Sequence, residues 1–352
     1  MPLHEFGIQK HYMGHKYMKY ILIPSAIGII SIFYASVLPA GSETQIKGMT
    51  VSCQTWGWEW GSDEMVVAMR KLKTMGINWI SIHPYAYVLP DGSIRPLSSS
   101  KTDNFKWLIR PIKEAHRLGL KMCIKPHIAY WGTKFKWRGD VSFNSESEWS
   151  SFFSSYSDWL SGLVDICSEA DAFVVGTELD GTVSRETEWR ELIARMRSST
   201  EAPLTYAANW ADYEKIRFWD ALDAIGVQAY FPLADSLFNP EMEELEKSWN
   251  QHLWKLNAFA DEWDRDIVFT ELGYDISANA AFKPWKSGRK NRLGAGIQEK
   301  CMKSALEAVG RNDRVIGAFI WKWFAGTAAH ENFLASRPPI SKLIKSYWSP
   351  GS

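Results

Sequence analysis

Ile267-Val268-Phe269-Thr270-Glu271-Leu272-Gly273-Tyr274 is a short apolar run that ends on a carboxylate and a glycine. Four apolar or β-branched residues bounded by a turn predict a buried strand. A carboxylate at the end of such a strand demands a reason, because an unpaired charge leaving water is costly. The same pattern stands once earlier, in Ala172-Phe173-Val174-Val175-Gly176-Thr177-Glu178-Leu179. Two strands ending Thr-Glu-Leu put Glu178 and Glu271 at equivalent points of a repeated architecture.

Outward from these two strands the chain alternates strand and helix. Strands are predicted at 47–53, 79–85, 121–127, 172–178, 204–209, 224–230, 267–271 and 315–321. Helices are predicted between most of them: from Ser62-Asp63-Glu64 to Gly76, from Thr102-Asp103-Asn104 to Leu118-Gly119, and over 147–167, 186–197, 242–262 and 293–309. A final helix ends near Tyr347. Eight strands alternating with helices predict an α/β fold of the (β/α)8 TIM-barrel type, here over residues 47–348. An open doubly wound sheet would want a glycine-rich phosphate turn after an early strand. The first strand is followed instead by Trp56-Gly57-Trp58-Glu59-Trp60.

Ahead of the barrel, residues 1–40 read as a signal peptide or membrane anchor. Lys10, Lys16 and Lys19 precede an uncharged apolar run over residues 20–38, long enough to cross a bilayer. Residues 41–46 read as a linker. The barrel is therefore expected outside the cytoplasm, membrane-anchored if the leader stays and secreted or periplasmic if it is cleaved. The 352 residues are 46% hydrophobic with zero formal net charge, so neither nucleic acid nor an acidic polymer is implied as a partner. The chain carries 19 Trp, which suits either a ring-filled core or the stacking of flat sugar faces. Cys53, Cys123, Cys167 and Cys301 are scattered with no metal spacing; Cys53 and Cys123 fall in predicted strands and read as buried thiols.

In a barrel of this kind chemistry sits at the C-terminal strand ends. The unusual residues of this chain gather there: Trp56, His83, His127, Glu178, Asn209, Tyr230, Glu271 and Trp321. Strict alternation puts Lys125 with His127 on one face, Gly176 with Glu178, and Phe269 with Glu271. Two strand-end glutamates could be rim carboxylates paired with Lys or Arg. Ringed by aromatics, they read better as a glycosidase pair, one carboxyl protonating the leaving oxygen and the other facing the anomeric carbon. Those roles require their pKa values to be pushed apart. His83 and His127 could instead bind a metal, but no HxH follows the first strand and no Asp ends the eighth. No metal and no cofactor is expected. A barrel that binds glycan without cutting it would have no need of the pair, whereas a transglycosylase would use the same two carboxylates.

These residues resemble the clan A retaining glycoside hydrolases, and within them the β-mannanases of glycoside hydrolase family 113. The resemblance rests on Val175-Gly176-Thr177-Glu178-Leu179, Ala229-Tyr230-Phe231-Pro232-Leu233, Thr270-Glu271-Leu272-Gly273-Tyr274 with Pro284-Trp285 downstream, and Lys125-Pro126-His127. It implies Glu178 as acid/base, Glu271 as nucleophile, Tyr230 as hydrogen-bond donor to that nucleophile, and Trp321 as the floor under the sugar. Lys125, His127 and Asn209 would contact sugar hydroxyls, and Trp56, His83 and Trp285 are further candidates for substrate binding. The implied partner is a polysaccharide or oligosaccharide, and a monomer is expected. One departure stands out: many clan members place Asn before the acid/base, and here it is Thr177, which leaves the 2-hydroxyl contact unassigned. The loop from Ala281 to Arg292 is basic. It reads as a solvated loop, or as a cleft neighbour favouring an anionic sugar.

Overall fold

The computed structural model describes residues 45–96, 105–288, 290, 292–328 and 332–349. Eleven strands and seven α-helices run in the order β1 Ile46–Ser52, α1 Asp63–Lys73, β2 Trp79–Ile82, β3 Tyr85–Val88, β4 Ile94–Pro96, α2 Lys106–Arg117, β5 Lys121–Ile124, β6 His127–Ala129, α3 Glu146–Ile166, β7 Ala172–Thr177, α4 Glu186–Arg197, β8 Leu204–Asn209, β9 Ala224–Gln228, α5 Met242–Trp263, β10 Ile267–Leu272, α6 Arg292–Arg311, β11 Val315–Phe324 and α7 Pro338–Trp348. Strands β1, β2, β5, β7, β8, β9, β10 and β11 close into a barrel, and every pair in it is parallel. This is the (β/α)8 architecture expected from the alternation. Between β8 and β9 two short 3₁₀ turns, Tyr213–Lys215 and Trp219–Ala221, stand where a helix would. The leader, residues 20–38 included, and the opening Thr102-Asp103-Asn104 of the second helix lie outside the described residues. Among the described residues no helix is long and apolar enough to cross a membrane.

Local chemistry explains several boundaries. Ser145 and Glu148 form a capping box that starts α3, each bonding the other's backbone N–H. Pro338 and Pro339 open α7, where a missing N–H has no helical partner to lose. The second and third barrel strands stop short of their expected ends, at Ile82 and Ile124 rather than Tyr85 and His127. Pro84 and Pro126 follow, and proline cannot donate to the ladder. The chain leaves the barrel there and builds a separate sheet, with β3 parallel to β6 and antiparallel to β4. The sixth barrel strand ends at Gln228 rather than Tyr230, and the first at Ser52, so Cys53 lies just past its strand and half-buried. The eighth runs on to Phe324, because β1 pairs with it as far as Ser52↔Phe324.

Two cores result. The larger fills the space between barrel and helices and takes up Trp60, Trp189, Trp219 and Trp249 whole, so part of the tryptophan excess is packing. The smaller plugs the barrel with Cys123, Val174, Ala207, Ala224, Val268 and Phe319. Closer to the C-terminal strand ends lie buried polar side chains: Thr50, Ser81, Lys125, Thr177, Gln228 and Thr270.

Candidate active site

Both glutamate strands carry the same irregularity. On β10 the register passes from Phe269↔Val227 directly to Glu271↔Gln228. On β7 it passes from Val174↔Thr205 to Thr177↔Ala207. Strict alternation therefore fails on both, contrary to the sequence expectation. Phe269 packs outward on Trp249 and Phe231, and a side chain at Gly176 would run into Trp189 and Tyr206 on the helical side. An irregularity of this kind re-aims the residues after it. It turns Thr270 and Thr177 out of the simple repeat and presents both carboxyls to the mouth of the barrel. Glu178 also sits at φ 51°, a left-handed conformation uncommon outside glycine. Two hydrogen bonds hold it there, from Glu178 N to the Ala207 carbonyl at 2.9 Å and from Leu179 N to the Tyr206 hydroxyl at 2.8 Å.

Glu271 is only 5% exposed and is clamped on both oxygens. Lys125 Nζ donates to Oε1 and, at 3.3 Å, to the Thr270 carbonyl; the Tyr230 hydroxyl donates to Oε2 at 2.7 Å. Burial holds the Lys125 ammonium below its ordinary value, while the Glu271 carboxylate pulls it back up. Glu271 thus has a buried counter-ion on one oxygen and a hydroxyl donor on the other.

Glu178 stands in a different field. Its side chain is 20% exposed, and Arg138 NH1 lies 3.6 Å from Oε2, too long for a direct hydrogen bond. Burial pushes its carboxyl up to about 7; Arg138 pulls it down, and the nearby Glu271 charge pushes it up. The two carboxyls thus have different surroundings within one cleft, one bonded on both oxygens by buried donors and the other lifted by burial.

Arg138 also donates to His127 Nδ1 at 3.1 Å. That bond leaves the ring proton on Nε2, which lies 3.9 Å from Glu271 Oε1. The His83 ring stacks on His127 at 4.7 Å, with its Nε2 3.1 Å from Ser52 Oγ. Burial holds both imidazoles well below their ordinary pKa, so both are neutral. They are stacked face to face rather than converging on a point, and among the described residues no group of three or more His, Cys, Asp or Glu is placed to hold a metal ion. Trp321 closes the floor behind them, 5.3 Å from His83 and 6.1 Å from His127, with Lys125 Nζ 4.9 Å from its ring centre.

The remaining candidates sit on the rim. Trp56 packs against Tyr85, Tyr87 and Trp131 above the small sheet. Trp285 is 45% exposed and stacks on Trp210 at 5.2 Å, immediately after the end of β8. Asn209 ends β8, with its Oδ1 accepting from Ala211 N at 3.1 Å, and among the described residues it is hydrogen-bonded to neither glutamate. Thr177 is sealed, with Oγ1 unpartnered in the interior, and cannot reach a sugar. The basic loop is anchored at the rim: Leu233 N donates to the Ala281 carbonyl, and Gly288 N to buried Asp275 Oδ2 at 3.0 Å.

Sequence reasoning missed Arg138 and Lys322. Arg138 lies in an irregular loop whose spacing points nowhere. Lys322 did leave a signal, a single charge between Trp321 and Trp323 in the apolar run of β11.

A family model for glycoside hydrolase family 113 matches residues 49–336. The chain belongs to glycoside hydrolase family 113. It is therefore a glycoside hydrolase. Among solved structures it is similar to the family-113 β-mannanase of Alicyclobacillus acidocaldarius, at 24% identity and a TM-score of 0.75, covering 87% of this chain and 97% of that one. A second family-113 β-1,4-mannanase shows 22% identity and a TM-score of 0.74 over 86% of this chain and 98% of that one. A family-5 mannosidase of Rhizomucor miehei, at 12% identity and a TM-score of 0.53, covers 86% of this chain and 92% of that one. These likenesses carry the fold. No curated protein matches the chain.

Proposed function

We propose that this family-113 member is a retaining β-mannanase in which Glu271 is the nucleophile and Glu178 the acid/base. The observation that carries the reading is the difference between the two carboxyls: Lys125 and Tyr230 donate to the two oxygens of Glu271, while burial lifts Glu178 to about 7. Glu271 attacks the anomeric carbon as Glu178 protonates the leaving oxygen. Water then hydrolyses the glycosyl-enzyme, with the Glu178 carboxylate as its base. Trp321 forms the floor for the sugar being cut. Trp56 and Trp285 offer stacking surfaces on the rim. Mannan is the substrate proposed because the two family-113 structures described above are called β-mannanases.

Reducing ends released from mannan, glucomannan, xylan and cellulose test the substrate, and the anomer of the first product tests retention. Release from the mannans with the β anomer formed first is expected; release only from xylan or cellulose, or inversion, would overturn the reading. The apolar run over residues 20–38 supports a further proposal, export of the barrel with the leader either retained or cleaved. N-terminal sequencing of the protein from membrane and soluble fractions decides between these, and recovery of intact chain in the cytoplasm would end the idea.

Arg138 gives this reading a pH signature. A general acid works while protonated, so activity should fall as pH rises through about 7. Arg138 lowers the Glu178 pKa, so Arg138→Gln must raise it and carry the alkaline limb upward, by about half to one pH unit. A kcat/KM–pH profile checks it. A lower rate with the limb unmoved would mean that Arg138 only braces the loop.

A further inference from the structure

Lys322 follows Trp321 on β11 and is 9% exposed. Its backbone is pinned: its N–H donates to the Phe333 carbonyl at 2.9 Å, and its carbonyl accepts from Ala335 N at 2.9 Å. Its Nζ lies 5.1 Å from the Trp321 ring centre and 5.3 Å from that of Phe324. The other two cations of the cleft are engaged, Lys125 with Glu271 and Arg138 with His127 and Glu178. The Lys322 ammonium has no carboxylate or carbonyl at hydrogen-bonding or ion-pairing distance among the described residues. It is not one of the sealed polar atoms, so it keeps an opening to solvent.

Burial pushes this ammonium down to about 8, against the upward pull of the more distant Glu271 and Asp275, so it is still charged at neutral pH. A charge held so deep without a partner is costly, and an apolar side chain of the same length would fit the two rings as well. The cost is recovered when a ligand brings the missing acceptor. A neutral sugar hydroxyl would supply a hydrogen bond but leave the charge unbalanced; a carboxylate supplies both. The carboxylates of Glu271 and Asp275 lie too far off to pair with it, and the loop at the rim is basic. The basic loop is tied to Lys322 through successive hydrogen bonds: Gly288 N to Asp275 Oδ2, Phe333 N to Asp275 Oδ1, and Lys322 N to the Phe333 carbonyl. Lys286 and Lys290 of that loop are exposed at the rim.

We propose that Lys322 is a specificity residue that binds the carboxylate of a hexuronic acid unit lying on Trp321, so that the preferred glycan carries acidic sugars. The inference rests on the reading of Trp321 as the floor of the sugar site.

Two probes that differ only in the acidic group test it: methyl β-D-mannopyranoside and its uronate counterpart, titrated calorimetrically into the full chain. Uronate binding about tenfold tighter than the neutral glycoside is expected. Lys322→Gln should erase that preference and Lys322→Arg should retain it, a rescue that a packing role would not produce. Equal affinities, no measurable uronate binding, or an undiminished preference in Lys322→Gln would each overturn the proposal. Binding requires no turnover, so failure of the hydrolase reading shows separately, as the absence of new reducing ends from neutral and acidic glycans alike.

Discussion

Glu271→Gln should lower kcat/KM on the best glycan by roughly 10⁴-fold or more, with the fold intact. The amide matches the carboxylate in volume and still offers Lys125 an acceptor, so the clamp of Lys125 and Tyr230 closes around a similar shape. The negative charge is gone, and the neutral amide oxygen is too weak a nucleophile to attack the anomeric carbon. Circular dichroism should be unchanged, and the melting temperature should fall by less than in a variant that strands the carboxylate, because burial already lowers the Lys125 pKa and the loss of Glu271 lets the ammonium shed its proton. Substrate binding should persist, since a nucleophile acts mainly in the transition state. Activity above about one hundredth of the native rate would remove Glu271 from the role, because a supporting group alone is worth that much.

Lys125→Met is the larger test of stability. It leaves the Glu271 carboxylate buried with only the Tyr230 hydroxyl directly bonded to it. Breaking a buried ion pair from one side costs about 3–5 kcal/mol, so the urea midpoint should drop clearly and activity with it. The double variant Lys125→Met/Glu271→Gln removes the stranded charge as well. It should be more stable than Lys125→Met alone, a coupling that a double-mutant cycle reads directly. Strictly additive losses would show that the pair is not linked in the folded protein. Taken with the Arg138 and Lys322 variants, the cycle assigns Lys125, Arg138 and Lys322 separate measurable effects: charge balance, pH limb and ligand preference.

Much of the barrel was legible because its signals are local. Strand and helix boundaries such as 186–197 and 204–209 coincide with the structure, since each rests on the periodicity of a short window. The second and third strands were drawn too long, although Pro84 and Pro126 were in view. Apolar residues continue past both prolines, and only the folded chain shows that they pair in a separate small sheet. The candidate residues divide in the same way. Lys125, His127, Tyr230 and Trp321 gather about the glutamates, whereas Trp56, Asn209 and Trp285 stand on the rim, a distinction that strand-end position does not contain.

The sequence by itself determined the architecture and the two carboxylates. Eight apolar runs separated by helical segments admit few packings, and a repeated Thr-Glu-Leu at two strand ends marks a pair whatever the details of the fold. Tertiary structure alone decided how those carboxylates are placed. A skipped residue in the register of β7 and of β10 sets the direction of each side chain, and such a skip depends on the neighbouring strand rather than on the strand's own residues. The surroundings of each carboxyl depend on burial and on charges brought in from distant positions: Lys125 lies outside the strand of Glu271, and Arg138 on a loop without a motif. Desolvation and Coulomb energy are functions of distance in space, and separation along the chain carries neither.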